Sequence, residues 1–113
     1  MSNRVLIIED ETELSGLIKR FLSKRSYEVT CVESLTSAIL LLQSNSFDAI
    51  ILDNNLPDGK GLDIIPTINY VQNKPKIIAM SAMQVRDEAL KAGASYYIEK
   101  PISMAAIYRL LNN

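Results

Sequence analysis

Val5-Leu6-Ile7-Ile8-Glu9-Asp10 is the stretch that decides the fold: four apolar residues run unbroken and stop on two acids. A strand buried on both faces has this continuous form, whereas a strand wet on one side alternates. The same form returns three times. Ala49-Ile50-Ile51-Leu52 stops on Asp53, Ile77-Ile78-Ala79-Met80 stops on Ser81, and Tyr96-Tyr97-Ile98 leads to Lys100-Pro101. A fifth run, residues 27–32, is β-rich but alternates, so it reads as a strand with one wetter side.

Helical patterns fill the intervals. Leu14, Leu17, Ile18, Phe21 and Leu22 recur at helical spacing within residues 11–23, with Asp10 or Thr12 placed to serve the N-terminus. Ser34 caps a second helix whose inner face carries Leu35, Ile39 and Leu42, widened by Leu40 and Leu41. A third helix is predicted near residues 62–71. Pro66 makes it short or kinked, because proline deep in a helix costs about 3 kcal/mol. Residues 84–92 form a fourth helix that Gly93 terminates, and Ser103 caps a last one carrying Ile107, Leu110 and Leu111.

Five β–α units joined by short connections predict an α/β fold: a doubly wound parallel sheet with helices on both faces. Right-handed crossovers restrict the topology further. The C-terminal ends of parallel strands gather at one edge, where open α/β folds hold their ligands. That edge collects Glu9, Asp10, Asp53, Ser81 and Lys100, with the turn Leu56-Pro57-Asp58-Gly59 just behind Asp53.

Composition narrows the functions. The 113 residues amount to one domain, 1–113, either complete or a piece of a longer protein. The formal net charge of -1 offers no basic face for nucleic acid. Cys31 has no second cysteine to pair with, which suits a reducing, cytoplasmic setting. The first apolar run is too short for a signal peptide or a membrane span. With no histidine, serine–histidine and cysteine–histidine catalysis and histidine-ligated zinc are excluded.

The edge residues point to metal-assisted phosphoryl chemistry. Clustered carboxylates raise one another's pKa, and a divalent cation resolves the conflict. Oxygen-only ligands suit Mg²⁺ or Mn²⁺. Asp53 can attack phosphorus to give an acyl phosphate. Lys100 supplies a point charge for phosphoryl oxygens. Pro101 holds Lys100 extended and makes the Lys100–Pro101 bond a candidate cis peptide. Ser81 can donate its hydroxyl to a phosphoryl oxygen. Asn54 and Asn55 suit a turn, and the carbonyl after such a turn can face the metal. The glycines at 59 and 61 follow the wrong strand for a dinucleotide fingerprint.

Taken together, segments 5–11, 51–59, 80–82, 92–94 and 97–101 resemble, in order, the receiver domain of bacterial two-component response regulators. The resemblance covers essentially the whole chain. It implies a flavodoxin-like sheet of strand order 2-1-3-4-5. It also implies Asp53 as phosphoacceptor, Asp10 as a direct Mg²⁺ ligand, and Glu9 acting through metal-bound water. Asn55 would offer its backbone carbonyl to the metal, Lys100 would pair with the phosphoryl group or the free carboxylate, and Ser81 and Tyr97 would form the switch. The donor would be a histidine kinase or phosphotransfer protein, and the output a downstream protein or a separate effector domain. The domain itself would be a monomer or weak dimer that catalyses only its own phosphotransfer and dephosphorylation.

Two features depart from that family. The segment from Ser81 to Gly93 is about one helical turn short, which falls on the expected output face. Met83 would lie beside the phosphoryl group, where a thioether cannot position an attacking water, so slow self-dephosphorylation is expected. A pseudo-receiver, working as a phosphorylation-independent binding module, is the main alternative. An aspartate-nucleophile phosphatase would need an aspartate where Asn55 stands. A flavin carrier would not carry the acidic run from Glu9 to Glu13 at its phosphate loop.

Overall fold

The structure, a computed structural model, describes residues 3–113. Five strands form one parallel sheet: β1 (Arg4–Ile8), β2 (Glu28–Val32), β3 (Ala49–Asp53), β6 (Lys76–Ser81) and β7 (Tyr96–Glu99). Their order is β2-β1-β3-β6-β7, which is the expected 2-1-3-4-5 arrangement of the five core strands. A short antiparallel hairpin, β4 (Asn55–Leu56) with β5 (Gly59–Lys60), interrupts the alternation directly after β3. The helices are α1 (Thr12–Ser23), α2 (Leu35–Leu42), α3 (Ile65–Val71), α4 (Arg86–Ala92) and α5 (Met104–Leu111).

The continuous apolar runs are explained by two separate cores. Leu6, Ile8, Ile50, Leu52 and Ile77 pack with Leu35, Ala38 and Leu42 of α2, Ile65 and Ile68 of α3, and Ala89 of α4. Their sequence neighbours Val5, Ile7, Ala49, Ile51 and Ile78 point the other way, onto Ile18 and Leu22 of α1 and Ile107 of α5. Successive strand residues alternate faces, so a sheet covered twice needs an apolar residue at every position. Among the described residues, no helix is long and apolar enough to cross a membrane.

Local expectations meet this architecture unevenly. Ser34 accepts from Ser37 N and Ser103 accepts from Ala106 N, as caps should. Gly93 closes α4 in the left-handed region at φ 115°. Pro66 lies in the first turn of α3, because a 3₁₀ turn over Gly61–Ile64 takes the preceding residues. Proline there removes only an N–H that has no helical partner. The α1 terminus differs from expectation: Glu11 is the flanking residue and makes no side-chain cap bond, and neither Asp10 nor Thr12 serves. Asp10 instead turns its carboxylate toward Glu9 and Asp53. Leu17 and Leu40 are exposed, since each lies one step outside the stripe its helix buries.

Candidate functional site

Parallel register brings the C-terminal ends of β1, β3 and β6 level, pairing Ile8 with Leu52 and Asp53 with Met80. The residues that follow project from one edge. Glu9 is fully buried, Asp53 is 2% exposed and Ser81 is fully buried, whereas Asp10 is exposed. Glu9, Asp10 and Asp53 each offer a carboxylate oxygen, and these atoms lie within 4.8 Å of one another.

Lys100 reaches this cluster from the far strand. Its Nζ stands 2.8 Å from Glu9 Oε1, 3.0 Å from Asp53 Oδ1 and 3.4 Å from Glu11 Oε1. One contact aims it: Lys100 N donates to Ser81 O at 2.8 Å. The Lys100–Pro101 peptide is cis. Glu11, which the sequence placed at the start of the first helix, was not read as a site residue; its N–H also donates to Glu9 Oε2 at 3.0 Å.

Burial sets the electrostatics. It raises the Glu9 carboxyl above its ordinary value, against the lowering effect of Lys100. Burial likewise raises the Asp53 carboxyl, with Lys100 again opposing and Asp10 adding to the rise. For Lys100, burial alone would lower the ammonium, but the Glu9 and Asp53 carboxylates outweigh it and hold it above the usual lysine range. One ammonium among these acids leaves an excess of negative charge. Such charges stay together only when something compensates them.

Asp53 carries the most informative atom. Oδ2 accepts from Asn55 N at 3.2 Å. Oδ1 is buried and, among the described residues, meets the Lys100 ammonium at 3.0 Å as an ion pair rather than a well-formed hydrogen bond. A buried carboxylate oxygen left in this state is available to a cation or to an electrophile. With all-oxygen donors and excess negative charge, Glu9, Asp10 and Asp53 fit a hard divalent cation.

Ser81 and Tyr97 form a second, adjoining arrangement. Ser81 Oγ accepts from Met83 N at 3.0 Å. Tyr97 is 7% exposed, and its hydroxyl donates to Met83 O and accepts from Val85 N at 3.4 Å. Both groups therefore grip the same loop, 82–85. The expected switch turns Tyr97 inward, and this structure holds it inward, with the Arg86 guanidinium 5.3 Å over its ring. Met83 itself is 61% exposed at the rim.

Asn54 is a residue whose importance sequence reasoning missed. It is buried, its N–H donates to Met80 O at 3.0 Å, and its Oδ1 accepts from Leu62 N at 3.2 Å. It thus fastens the loop after β3 to the sheet on one side and to the 3₁₀ turn on the other. Nothing in the residue type distinguishes it from Asn55 beside it, which is exposed.

Comparison with known proteins bears directly on this edge. The response regulator receiver domain family matches residues 5–112, nearly the whole chain. The chain belongs to that family. KdpE of Staphylococcus aureus, a transcriptional regulatory protein, is 36% identical over 107 residues, covering 92% of this receiver domain and 46% of that protein. SrrA of the same species, also a transcriptional regulatory protein, is 31% identical over 105 residues, covering 91% and 44%. The receiver domain therefore spans less than half the length of these relatives. Among solved structures, a response regulator from Burkholderia pseudomallei with a phosphorylated aspartic acid, calcium ion and citrate superposes with a TM-score of 0.91. It is 26% identical and covers 97% of this receiver domain and 66% of that chain. A CheY-like receiver domain from Methylobacillus flagellatus has a TM-score of 0.89 at 28% identity, covering 99% and 98%. The protein is accordingly a signalling domain of the two-component type, and membership implies switching under phosphorylation.

Proposed function

We propose that this receiver domain accepts a phosphoryl group on Asp53 from the phosphohistidine of a histidine kinase or phosphotransfer protein, with Mg²⁺ required. The observation that carries the proposal is the buried Asp53 carboxylate, whose Oδ1 is paired with Lys100 Nζ at 3.0 Å and lies in one cluster with Glu9 and Asp10. In the step itself an Asp53 oxygen forms a bond to phosphorus while the P–N bond to the donor imidazole breaks. The imidazole keeps the electron pair and takes up a proton, and Asp53 becomes an acyl phosphate. The Burkholderia relative, described with a phosphorylated aspartic acid and a calcium ion, supports this reading of the acidic edge.

Asp10, Asp53 and the Asn55 backbone carbonyl would hold the cation directly, and Glu9 through water; Mn²⁺ is an acceptable substitute. When bound, the cation offsets the repulsion between the anionic attacker and the anionic donor. Lys100 then pairs with the transferred oxygens, and the Ser81 hydroxyl turns to donate to one of them. The new charge and acceptor oxygens bias loop 82–85, which Ser81 and Tyr97 both hold, and with it the face built by α4, β7 and α5. Output leaves through a downstream protein or an effector domain. Residues 1–113 make up the receiver unit, which catalyses only its own phosphotransfer and dephosphorylation.

The short α4, at 7 residues, favours one other reading, a pseudo-receiver that binds a partner without phosphorylation. Incubation with Mg²⁺ and acetyl phosphate, read by intact mass, separates the two. The proposal expects a gain of one phosphoryl mass that vanishes in Asp53→Asn and in excess chelator. An unmodified wild-type mass under those conditions would leave the pseudo-receiver standing.

A further inference from the structure

Asp58 lies outside the acid cluster, yet its carboxylate is fully engaged. Oδ1 accepts from Leu35 N at 2.8 Å, and Oδ2 accepts from Thr36 N at 2.9 Å and Thr36 Oγ1 at 2.8 Å. Ser34 Oγ accepts from Ser37 N and Ser34 O from Ala38 N, both at 3.1 Å. Every N–H of the first turn of α2 is thereby satisfied, two of them by a residue more than twenty positions away. Helix caps normally come from the flanking residue, as Ser34 does here. The negative charge also suits the positive end of the helix.

The other end of this connection is the phosphoacceptor loop. Asp58 is in the tip of the β4–β5 hairpin, where Asn55 pairs with Lys60 and Leu56 with Gly59. Leu56 is buried in the same core as Leu35. Gly59 has φ 150°, and a Cβ there would come within 2.9 Å of Leu35 Cδ1, so the tip is pressed onto α2. At the base of the hairpin, Asn55 N donates to Asp53 Oδ2 at 3.2 Å. An unbroken path of contacts runs from the α2 N-terminus through Asp58 and the hairpin to the Asn55 main chain and Asp53.

We propose that Asp58 is a positioning residue for the metal and phosphoacceptor site: by clamping the hairpin to α2 it keeps the Asn55 main chain set beside Asp53. Asp58 touches none of the reacting atoms. The ordering of the loop is completed when the chain folds, so a cation meets oxygens already in place and binding is not charged with arranging them. This rests on the proposed function, in which Asn55 offers its carbonyl to the metal.

Mn²⁺ titration, followed by the loss of the free-ion electron paramagnetic resonance signal, reads the effect without any phosphodonor. Wild type, Asp58→Asn, Thr36→Val and Ser34→Ala are compared alongside thermal melts. Asp58→Asn weakens Mn²⁺ binding about tenfold, the lower end of what losing a group that orients metal ligands does. Thr36→Val, which removes one of the three bonds, shifts it by less in the same direction. Ser34→Ala lowers the melting temperature through α2 alone and leaves Mn²⁺ affinity at the wild-type value. Equal affinity in Asp58→Asn and wild type overturns the inference, and so does an equal loss in Ser34→Ala. If wild type fails to bind Mn²⁺, both the inference and the metal dependence fall. If it binds Mn²⁺ but gains no phosphoryl mass from acetyl phosphate, the phosphoacceptor reading alone falls.

Discussion

Burial of charge governs the site residue by residue. Glu9 and Asp53 are raised above their ordinary values of 4.5 and 3.8, so the folded protein holds protons that the unfolded chain releases. Across the window that opens above those values, stability falls as pH rises. In chelator, the protein is therefore expected to melt higher at mildly acidic pH than at neutral pH for these two groups. Asp53→Asn removes one buried carboxylate and should raise the metal-free melting temperature at neutral pH by about 5 °C, as ~1 kcal/mol does in a domain of this size. Differential scanning calorimetry in chelator checks both, and a lower melting temperature for Asp53→Asn would contradict the account. Lys100 acts in the opposite range: its contribution is complete below the unfolded value of 10.5 and is lost as pH rises through its higher folded value. Met83, exposed at the rim, offers only a weakly accepting thioether, a poor group for orienting an attacking water. The phosphorylated form should therefore decay slowly, and Met83→Glu should shorten its lifetime several-fold, followed by intact mass after donor removal.

Secondary-structure elements were legible where one residue type acts alone and obscure where partners are distant. The caps by Ser34 and Ser103 follow from local chemistry, and so does the stop at Gly93. The turn at residues 56–59 was legible, but the clamp by Asp58 could not be read, because its partners lie on α2. Lys76 shows the same limit. Its Nζ donates to Leu110 O at 2.8 Å and Leu111 O at 3.0 Å, satisfying carbonyls at the end of α5 from a strand far back in the chain. Gly61 is the element-scale test of how tightly the loop after β3 closes. A Cβ there would overlap the Asp53 carbonyl oxygen, which is backbone and cannot swing aside. Gly61→Ala should cost about 1–3 kcal/mol, in the range of overpacked interiors, and should move the Asp53 backbone. Denaturant melts measure the first effect, and amide chemical shifts of Asp53 and Asn54 report the second; a substitution silent in both would refute the close approach.

For the whole molecule, the doubly covered sheet makes its own demand. Ile50 and Ile51 are adjacent in β3 and both fully buried, but they belong to opposite cores. Ile50→Ala and Ile51→Ala should each cost about 2–5 kcal/mol. A sheet covered on one side would lose stability at only one of the pair, so unequal midpoints in urea, with one near wild type, would speak against this architecture. The sequence by itself determined the class of fold, the strand order expected from the family resemblance, and the placing of Glu9, Asp10, Asp53, Ser81 and Lys100 at one edge. It could do so because continuous apolar runs and strand-end polar residues are local signals, and parallel pairing places all such ends together. Only the tertiary structure decided that Lys100 stands between Glu9 and Asp53, and that Asp53 Oδ1 is buried against it as an ion pair. It also decided that Tyr97 sits inward on Met83 and that Asp58 belongs to α2. Those facts depend on side-chain directions and on contacts between residues far apart in the chain, which no pattern of neighbours encodes.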